Sequence, residues 1–510
     1  MKALASDFRP YSWAPPTPEV ARIAGIDPSQ VLRFDQNTPA LPLPSTRPGT
    51  VAGALARVSG YPGGGYLPLR RAIADYAGVE PENVVLGAGA DDVILLVARA
   101  YAGPGDRIAI PAPPTYPLYR IAAQLAGAEV GDEGPVLTFA CRPNNPTGSL
   151  DPLPDARPLV VDEAYFEYSG ETALPLAADE EVIVLRTFSK LFGLAGARVG
   201  YAIARRDVAD ELNARQAPAP VSSLGAELAI AALASSPDPA AEIEERERLA
   251  SALRALGLAP LESYTNFIYV PVGDGLALGD ALLRQGLVVR AYPEAIRASV
   301  RDAADDDVLV EALARILDRP SPVAPAGKRS ARTLRATAET RLATRLALDG
   351  ASRVRVATGA GLYDHFLEQL AFHAGFDLLL EGAGDAETGD HHTAEDAALA
   401  LGGALDAALG DRRGIARYGD AVVPMDDALA RAAVDLGGRA HSEITVEPDP
   451  GLATHMLESL AQAARASIHV QASGHNAHHV AEAAFKAVGR ALRAAVRLES
   501  EGLPSTKGLL

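Results

Sequence analysis

Residues 389–396 read GDHHTAED, and the pattern returns at 475–487 as HNAHHVAEAAFKA. Each copy sets two adjacent histidines ahead of a glutamate: His391, His392 and Glu395 in the first, His478, His479 and Glu482 in the second. On a helix, residues four apart share a face, so His391 with Glu395, and His478 with Glu482, can each grip one metal ion. The neighbouring histidine points about 100° away and must serve a different ion, so each motif feeds two sites. A further histidine precedes each copy: His365 in YDHFLEQ stands 26 residues before His391, and His455 in ATHMLES stands 23 before His478. One pattern used twice, about 90 residues apart, predicts a duplicated half-domain.

Six imidazoles and two carboxylates divide into two sites, each of three histidines and one glutamate. Such a set in an open octahedral arrangement favours Mn²⁺ or Fe²⁺ and leaves zinc open. Arg417, Arg439, Lys486, Ser505 and Lys507 supply the cations and hydroxyl that suit a phosphate. All ten histidines lie between His365 and His479, which marks the last third of the chain as a separate chemical unit. His373, His441 and His469 read as structural or surface residues.

Residues 331–510 resemble imidazoleglycerol-phosphate dehydratase over essentially the whole domain, through RATAETR, DHFLEQ, DHHTAED, HNAHHVAEAAFKA and PSTKG in that order. The resemblance implies His365, His391, His392, Glu395, His455, His478, His479 and Glu482 as ligands of two Mn²⁺ per site. It places Glu339 and Gln369 near the substrate and Arg417, Arg439, Ser505 and Lys507 around its phosphate. It further implies two similar sheet-and-helix halves that assemble into a large shell. His475 stands where the family usually has lysine, and Gly437 where it has serine; neither removes a ligand. The implied chemistry takes water from a 2,3-diol, with the substrate imidazole as electron sink and Glu339, Glu395 or Glu482 as the proton carrier.

Upstream, DRPSPVAPAGKRS (318–330) contains three prolines, a glycine and few large apolar residues, and reads as an exposed linker. Before it, β-rich runs at 107–111, 158–161 and 182–185 alternate with helical stretches such as 91–102 and 226–234. That alternation predicts an α/β parallel sheet.

Lysine occurs five times against 42 arginines, so a retained lysine marks work that arginine cannot do. Lys190 follows a buried run in VIVLRTFSKLFGLAGARVGY (182–201), with Thr187, Ser189 and Arg198 nearby. A lysine among hydroxyls and a guanidinium suits an aldehyde cofactor that carries a phosphate. Asp162 ends the apolar run of PLVVDEAYFEY, at the sheet edge where α/β folds bind ligands, and a carboxylate there can keep a pyridine nitrogen protonated. Tyr165 and Asn145, the latter in RPNNPTG, can bond the ring oxygen. The turn GAGADD (87–92) opens a helix whose free amides can receive phosphate, and Tyr116 in PAPPTYPLY can stack on the ring.

These motifs make residues 1–317 resemble a fold-type-I pyridoxal-phosphate aminotransferase, most like histidinol-phosphate aminotransferase. The resemblance implies a large parallel or mixed-sheet domain with a small α+β domain. Lys190 becomes the Schiff-base lysine, and Asp162 the partner of the pyridinium. Ala90, Asp91, Thr187, Ser189 and Arg198 surround the cofactor phosphate, with Tyr61 reaching that of a neighbouring subunit. Arg297 resembles the arginine that grips the substrate α-carboxylate, Arg290 the one that holds the substrate phosphate, and Asn37 an N-terminal substrate-side asparagine. The stretch from Gly127 to Cys141 is shorter than in the family, and only six residues separate Arg290 from Arg297.

Together the two resemblances imply a bifunctional enzyme of histidine biosynthesis. A net charge of −18 repels phosphate backbones and anionic lipid, and argues against nucleic acid and membrane as partners. A lone cysteine, Cys141, no signal-peptide pattern and no apolar run of about 20 residues lead us to expect a cytoplasmic protein. The resemblances imply a homo-oligomer acting on small phosphorylated imidazoles and glutamate. Two readings of the first unit stay open at this level: another pyridoxal-phosphate enzyme, such as an amino-acid-phosphate decarboxylase, or a noncatalytic assembly domain.

Overall fold

The runs Leu137–Cys141, Leu159–Asp162 and Val182–Thr187, buried at every residue, form the middle of a seven-stranded sheet. Strands with no polar alternation suit a sheet covered on both faces. Helices Ala90–Tyr101, Leu118–Ala126 and Arg206–Arg215 cover one face, and Leu67–Ala77 and Ser223–Ser235 the other. The strand order is Val84–Gly87, Gly200–Ile203, Val182–Thr187, Leu159–Asp162, Leu137–Cys141, Arg107–Ala109, Glu129–Val130. Gly200–Ile203 runs antiparallel to both neighbours; the other pairings are parallel.

This computed structural model describes residues 7–39, 53–56, 58–178, 181–323, 329–350, 352–384, 389–499 and 502–504. The chain divides into two units, Met1–Gly25 with Val31–Val323, and Ile26–Gln30 with Ala324–Leu510. A small α+β layer completes the first. Its antiparallel strands Phe267–Pro271, Ala295–Ser299 and Arg290–Tyr292 pack with helices Ala240–Ala255, Gly275–Leu283 and Ala303–Ile316. Arg290 lies directly opposite Arg297 in this sheet, so their short separation in sequence is a hairpin turn. Of the stretch 318–330, residues 324–328 lie outside those described; Val323 packs into the core of the first unit, and Ser330 opens a strand.

The second unit repeats itself. One sheet runs Ser330–Ala336, Thr340–Ala347, Asp377–Gly384, Val354–Ala357; the other runs Tyr418–Met425, Ala428–Asp435, Ser467–Ser473, His441–Glu447. Both pair antiparallel, antiparallel, then parallel. One hydrophobic core serves both halves.

The four helices exchange partners between the halves. Gly361–Ala374 of the first half packs on Ala477–Ala495 of the second, and His391–Leu409 of the first packs on Ala453–Ala463 of the second. A glycine permits each approach. A Cβ on Gly489 would lie 2.3 Å from the Leu370 carbonyl oxygen, and one on Gly402 would lie 2.7 Å from that of Leu460. Both glycines stand seven residues beyond their motif's glutamate. Among the described residues, no helix is long and apolar enough to cross a membrane.

Candidate active sites

In the first unit, strand ends deliver the polar groups. Asp162 is the last residue of its strand, and burial pushes its carboxyl up to about 6, against the bonds it accepts from Tyr119 Oη (2.6 Å) and the Ala164 N–H (3.1 Å). Lys190 follows the strand Val182–Thr187, with Nζ 5.4 Å from the centre of the Tyr165 ring. Burial first, and then the Arg297 guanidinium, push its ammonium down to about 8. Burial also raises the Tyr165 phenol, whose oxygen accepts from Asn37 Nδ2 (2.8 Å). Asn37 is itself held by Ser299, whose hydroxyl donates to Asn37 Oδ1 (2.7 Å). Arg297 donates from Nη1 to Asn145 Oδ1 and from Nη2 to the Asp35 carbonyl, both at 2.7 Å.

The proposed phosphate loop is tight. Gly200 lies so close that a Cβ there would meet the Ala90 nitrogen at 2.2 Å, and a Cβ on Gly89 would meet Arg198 Nη2 at 2.6 Å. Arg198 and Tyr116 both donate to Asp91, at 3.0 and 2.9 Å, and Thr187 donates to Ser189 Oγ (3.0 Å). Arg290 donates to the Ser12 carbonyl (2.8 Å) with its guanidinium over the Tyr11 ring. Tyr61 is 91% exposed, with its ring in solvent.

Two further tyrosines join the site: Tyr119, which binds Asp162 directly, and Tyr11, whose ring packs edge-to-face with Tyr116 and lies under Arg290. Tyr119 was legible only as the second tyrosine of PAPPTYPLY; Tyr11 had no signal. These residues fit pyridoxal phosphate: a buried acid at a strand end, a lysine with lowered pKa, and a buried Arg297 Nε without a hydrogen-bond partner among the described residues.

In the second unit, each motif begins a helix, and the second helix is capped by Asn476, whose Oδ1 accepts the His478 N–H (2.9 Å). Two clusters result. His365, His478 and Glu482 present ligand atoms that all lie within 4.8 Å of one another, as do His391, Glu395 and His455. Each therefore joins a motif of one half to the preceding histidine of the other half. The rings stack in both, His365 on His478 (5.6 Å) and His391 on His455 (5.2 Å). The buried Nε2 of His455 has no hydrogen-bond partner among the described residues and lies 3.5 Å from Glu395 Oε2, an arrangement a cation would satisfy. Burial raises Glu482, yet Lys486 Nζ at 2.8 Å, with His365 and His478, holds it below the usual carboxylate range.

His392 and His479 stand outside both clusters. His392 lies 3.8 Å from Glu339, and His479 bonds Asp427 (2.7 Å), which raises its pKa. Gln369 is half-buried on the helix that carries His365, and Arg439 is exposed. Arg417 is gripped by Asp435 through Nε (2.7 Å) and Nη2 (3.0 Å), and a Cβ on Gly437 would approach Nη2 to 2.7 Å. Ser505 and Lys507 lie outside the described residues. Asp427, Asp435 and the two packing glycines escaped the sequence analysis, because their partners are distant in the chain.

The family profile for Imidazoleglycerol-phosphate dehydratase matches residues 358–492, and that for Aminotransferase class I and II matches 30–136 and 132–316. The Imidazoleglycerol-phosphate dehydratase of Salinispora arenicola is 49% identical over 201 residues, 36% of this chain and 99% of that protein. The chain belongs to both families.

Among dehydratase relatives, that of Phytophthora nicotianae is 44% identical over 243 residues, 44% of this chain; the match spans about half, 54%, of that protein. Among solved aminotransferases, the histidinol-phosphate aminotransferase from Sinorhizobium meliloti, in complex with pyridoxal-5'-phosphate, is 25% identical with a TM-score of 0.54. That match covers 62% of this chain and 98% of the solved one, and the aminotransferase half is a fold-type-I unit.

Proposed function

We propose that the dehydratase half converts imidazole-glycerol phosphate to imidazole-acetol phosphate, and that the aminotransferase half converts this product to histidinol phosphate with glutamate as amino donor. The carrying observation is the pair of equivalent two-histidine, one-glutamate clusters in the same chain as a lysine with lowered pKa beside a buried strand-end acid.

The two clusters would hold Mn²⁺, which when bound supplies Lewis-acid charge against the substrate imidazole and its diol. His392 and His479, turned away from their own clusters, supply the third imidazole to clusters of neighbouring copies, which makes a homo-oligomer the working form. Glu339 is exposed, and among the described residues its carboxylate meets His392 at 3.8 Å and makes no closer side-chain bond, which suits it to carry a proton to the departing hydroxyl or from the carbon. Arg417, Arg439, Ser505 and Lys507 neutralise the substrate phosphate, and Gln369 orients the diol.

Pyridoxal phosphate, when bound in the other half, supplies a protonated ring that draws electrons from the substrate α-carbon. Asp162 holds the proton at the ring nitrogen, and Tyr119 and the Ala164 N–H hold Asp162 in line. Lys190, with an ammonium lowered to about 8, is partly neutral near pH 7.5 and able to take and return the α-proton. Asn145 and Tyr165 bond the ring oxygen, Tyr116 packs against the ring, and Ala90, Asp91, Thr187, Ser189 and Arg198 surround the phosphate, joined by Tyr61 of another copy. Arg297 takes the substrate carboxylate, with Asn37 beside it, and Arg290 takes the substrate phosphate.

A coupled assay tests the reading. Purified protein given imidazole-glycerol phosphate, glutamate and Mn²⁺ should form histidinol phosphate. Build-up of imidazole-acetol phosphate alone would reject the transaminase half, and release of CO₂ would replace it with a decarboxylase.

A further inference from the structure

The segment GRALRAAVRL (489–498) carries three arginines spaced three and four residues apart, so Arg490, Arg493 and Arg497 leave the last turns of the helix Ala477–Ala495 on one side. They line a hollow of about 710 Å³ with Arg329, His373 and Asp349. Four guanidiniums thus face one carboxylate, on a chain whose net charge is −18.

Half of that positive charge has no ion pair with any described residue. Arg329 is engaged, by Asp349 (Nε to Oδ2, 3.0 Å) and by the Val496 carbonyl, and Arg497 pairs with Glu499. Arg490 and Arg493, both exposed, make no hydrogen bond or ion pair with any described residue. His373 senses the field: burial first, then Lys486 and Arg490, lower its pKa and leave a neutral ring at the wall. The C-terminal carbonyls of a helix favour a cation or two. They do not account for a fourth arginine arriving from the strand side, or for a hollow between them.

We propose that this hollow binds the phosphate of a small organic phosphate ester, separately from the substrate-phosphate residues Arg417 and Arg439. Guanidinium forks match phosphate oxygens bidentately. The volume is that of a small-molecule pocket rather than a bare-ion site, and Leu348, Ala494 and Val496 give apolar surface for the organic part. The helix carrying Arg490 also carries Glu482, eight residues nearer its start, which sets the hollow about 12 Å or more along the axis from the metal cluster.

Ribose 5-phosphate is the probe, titrated calorimetrically into the full chain loaded with pyridoxal phosphate and Mn²⁺. Saturable binding is expected, weakened at least about tenfold by Arg490→Gln with Arg493→Gln and unchanged by Arg417→Gln. Ribose without the phosphate should not bind. Circular dichroism verifies the fold of the double variant, and the single exchange Arg490→Glu serves if the double variant does not fold. Equal binding by wild type and these variants, loss in Arg417→Gln instead, equal affinity for ribose, or no saturation up to about 10 mM would overturn the proposal.

Discussion

His365 and His478 lie with ring planes within 7° of each other, although they come from different halves of the repeat. The carboxylate of Glu482 lies 3.4 Å from His478 and 3.9 Å from His365, so three ligand atoms converge from two helices. Replacing His365 by alanine should damage this cluster and spare the one formed by His391, Glu395 and His455. Mass-spectrometric metal analysis should find about half the metal per chain, with affinity at the damaged cluster lower by about 100-fold or more. Full occupancy would count against the cross-half assignment.

The approach of those helices depends on Gly489, where a Cβ would strike the Leu370 carbonyl. Gly489→Ala forces the helices apart and should cost about 1–3 kcal/mol of stability. Metal titration should show weaker binding at the His365 cluster alone. The matching change Gly402→Ala should weaken the other cluster alone. An unchanged melting temperature and unchanged affinities would mean the helices adjust without cost.

Tyr119 donates to Asp162 within a fully buried pair. Removing this donor with Tyr119→Phe takes away a bond that holds the Asp162 carboxylate charged, so its pKa rises further and less of it is ionised near pH 7. Pyridoxal-phosphate affinity should fall about tenfold, and the loss should shrink as the pH is raised. A pH-independent loss would point to packing alone.

Asp162 carries a stability cost in the cofactor-free protein. Its folded pKa of about 6 exceeds the ordinary 3.8, so the folded state holds the proton more tightly. Stability contributed by this group therefore falls as pH rises through that interval and is lowest above it. Asp162→Asn should remove the dependence and stabilise the aminotransferase unit near pH 7 by up to about 3 kcal/mol, while transamination is lost. Chemical unfolding of wild type and variant at about pH 4.5 and about pH 7.5 measures this; an equal difference at both values would contradict it.

Local chemistry was legible in the chain itself. Helical periodicity placed His391 with Glu395 and His478 with Glu482, apolar runs placed Asp162 and Lys190 at strand ends, and the repeated motif announced a duplicated unit. These follow from interactions within a few residues, which spacing encodes directly. Long-range partners were not legible: Tyr119 with Asp162, Asn37 with Tyr165, and Arg417 with Asp435. Above all, spacing alone left open which motif each of His365 and His455 joins. The fold pairs His365 with His478 and His391 with His455, because helices bury their apolar faces against whichever neighbour the shared core and a backbone-close glycine allow, not against the next helix in the chain.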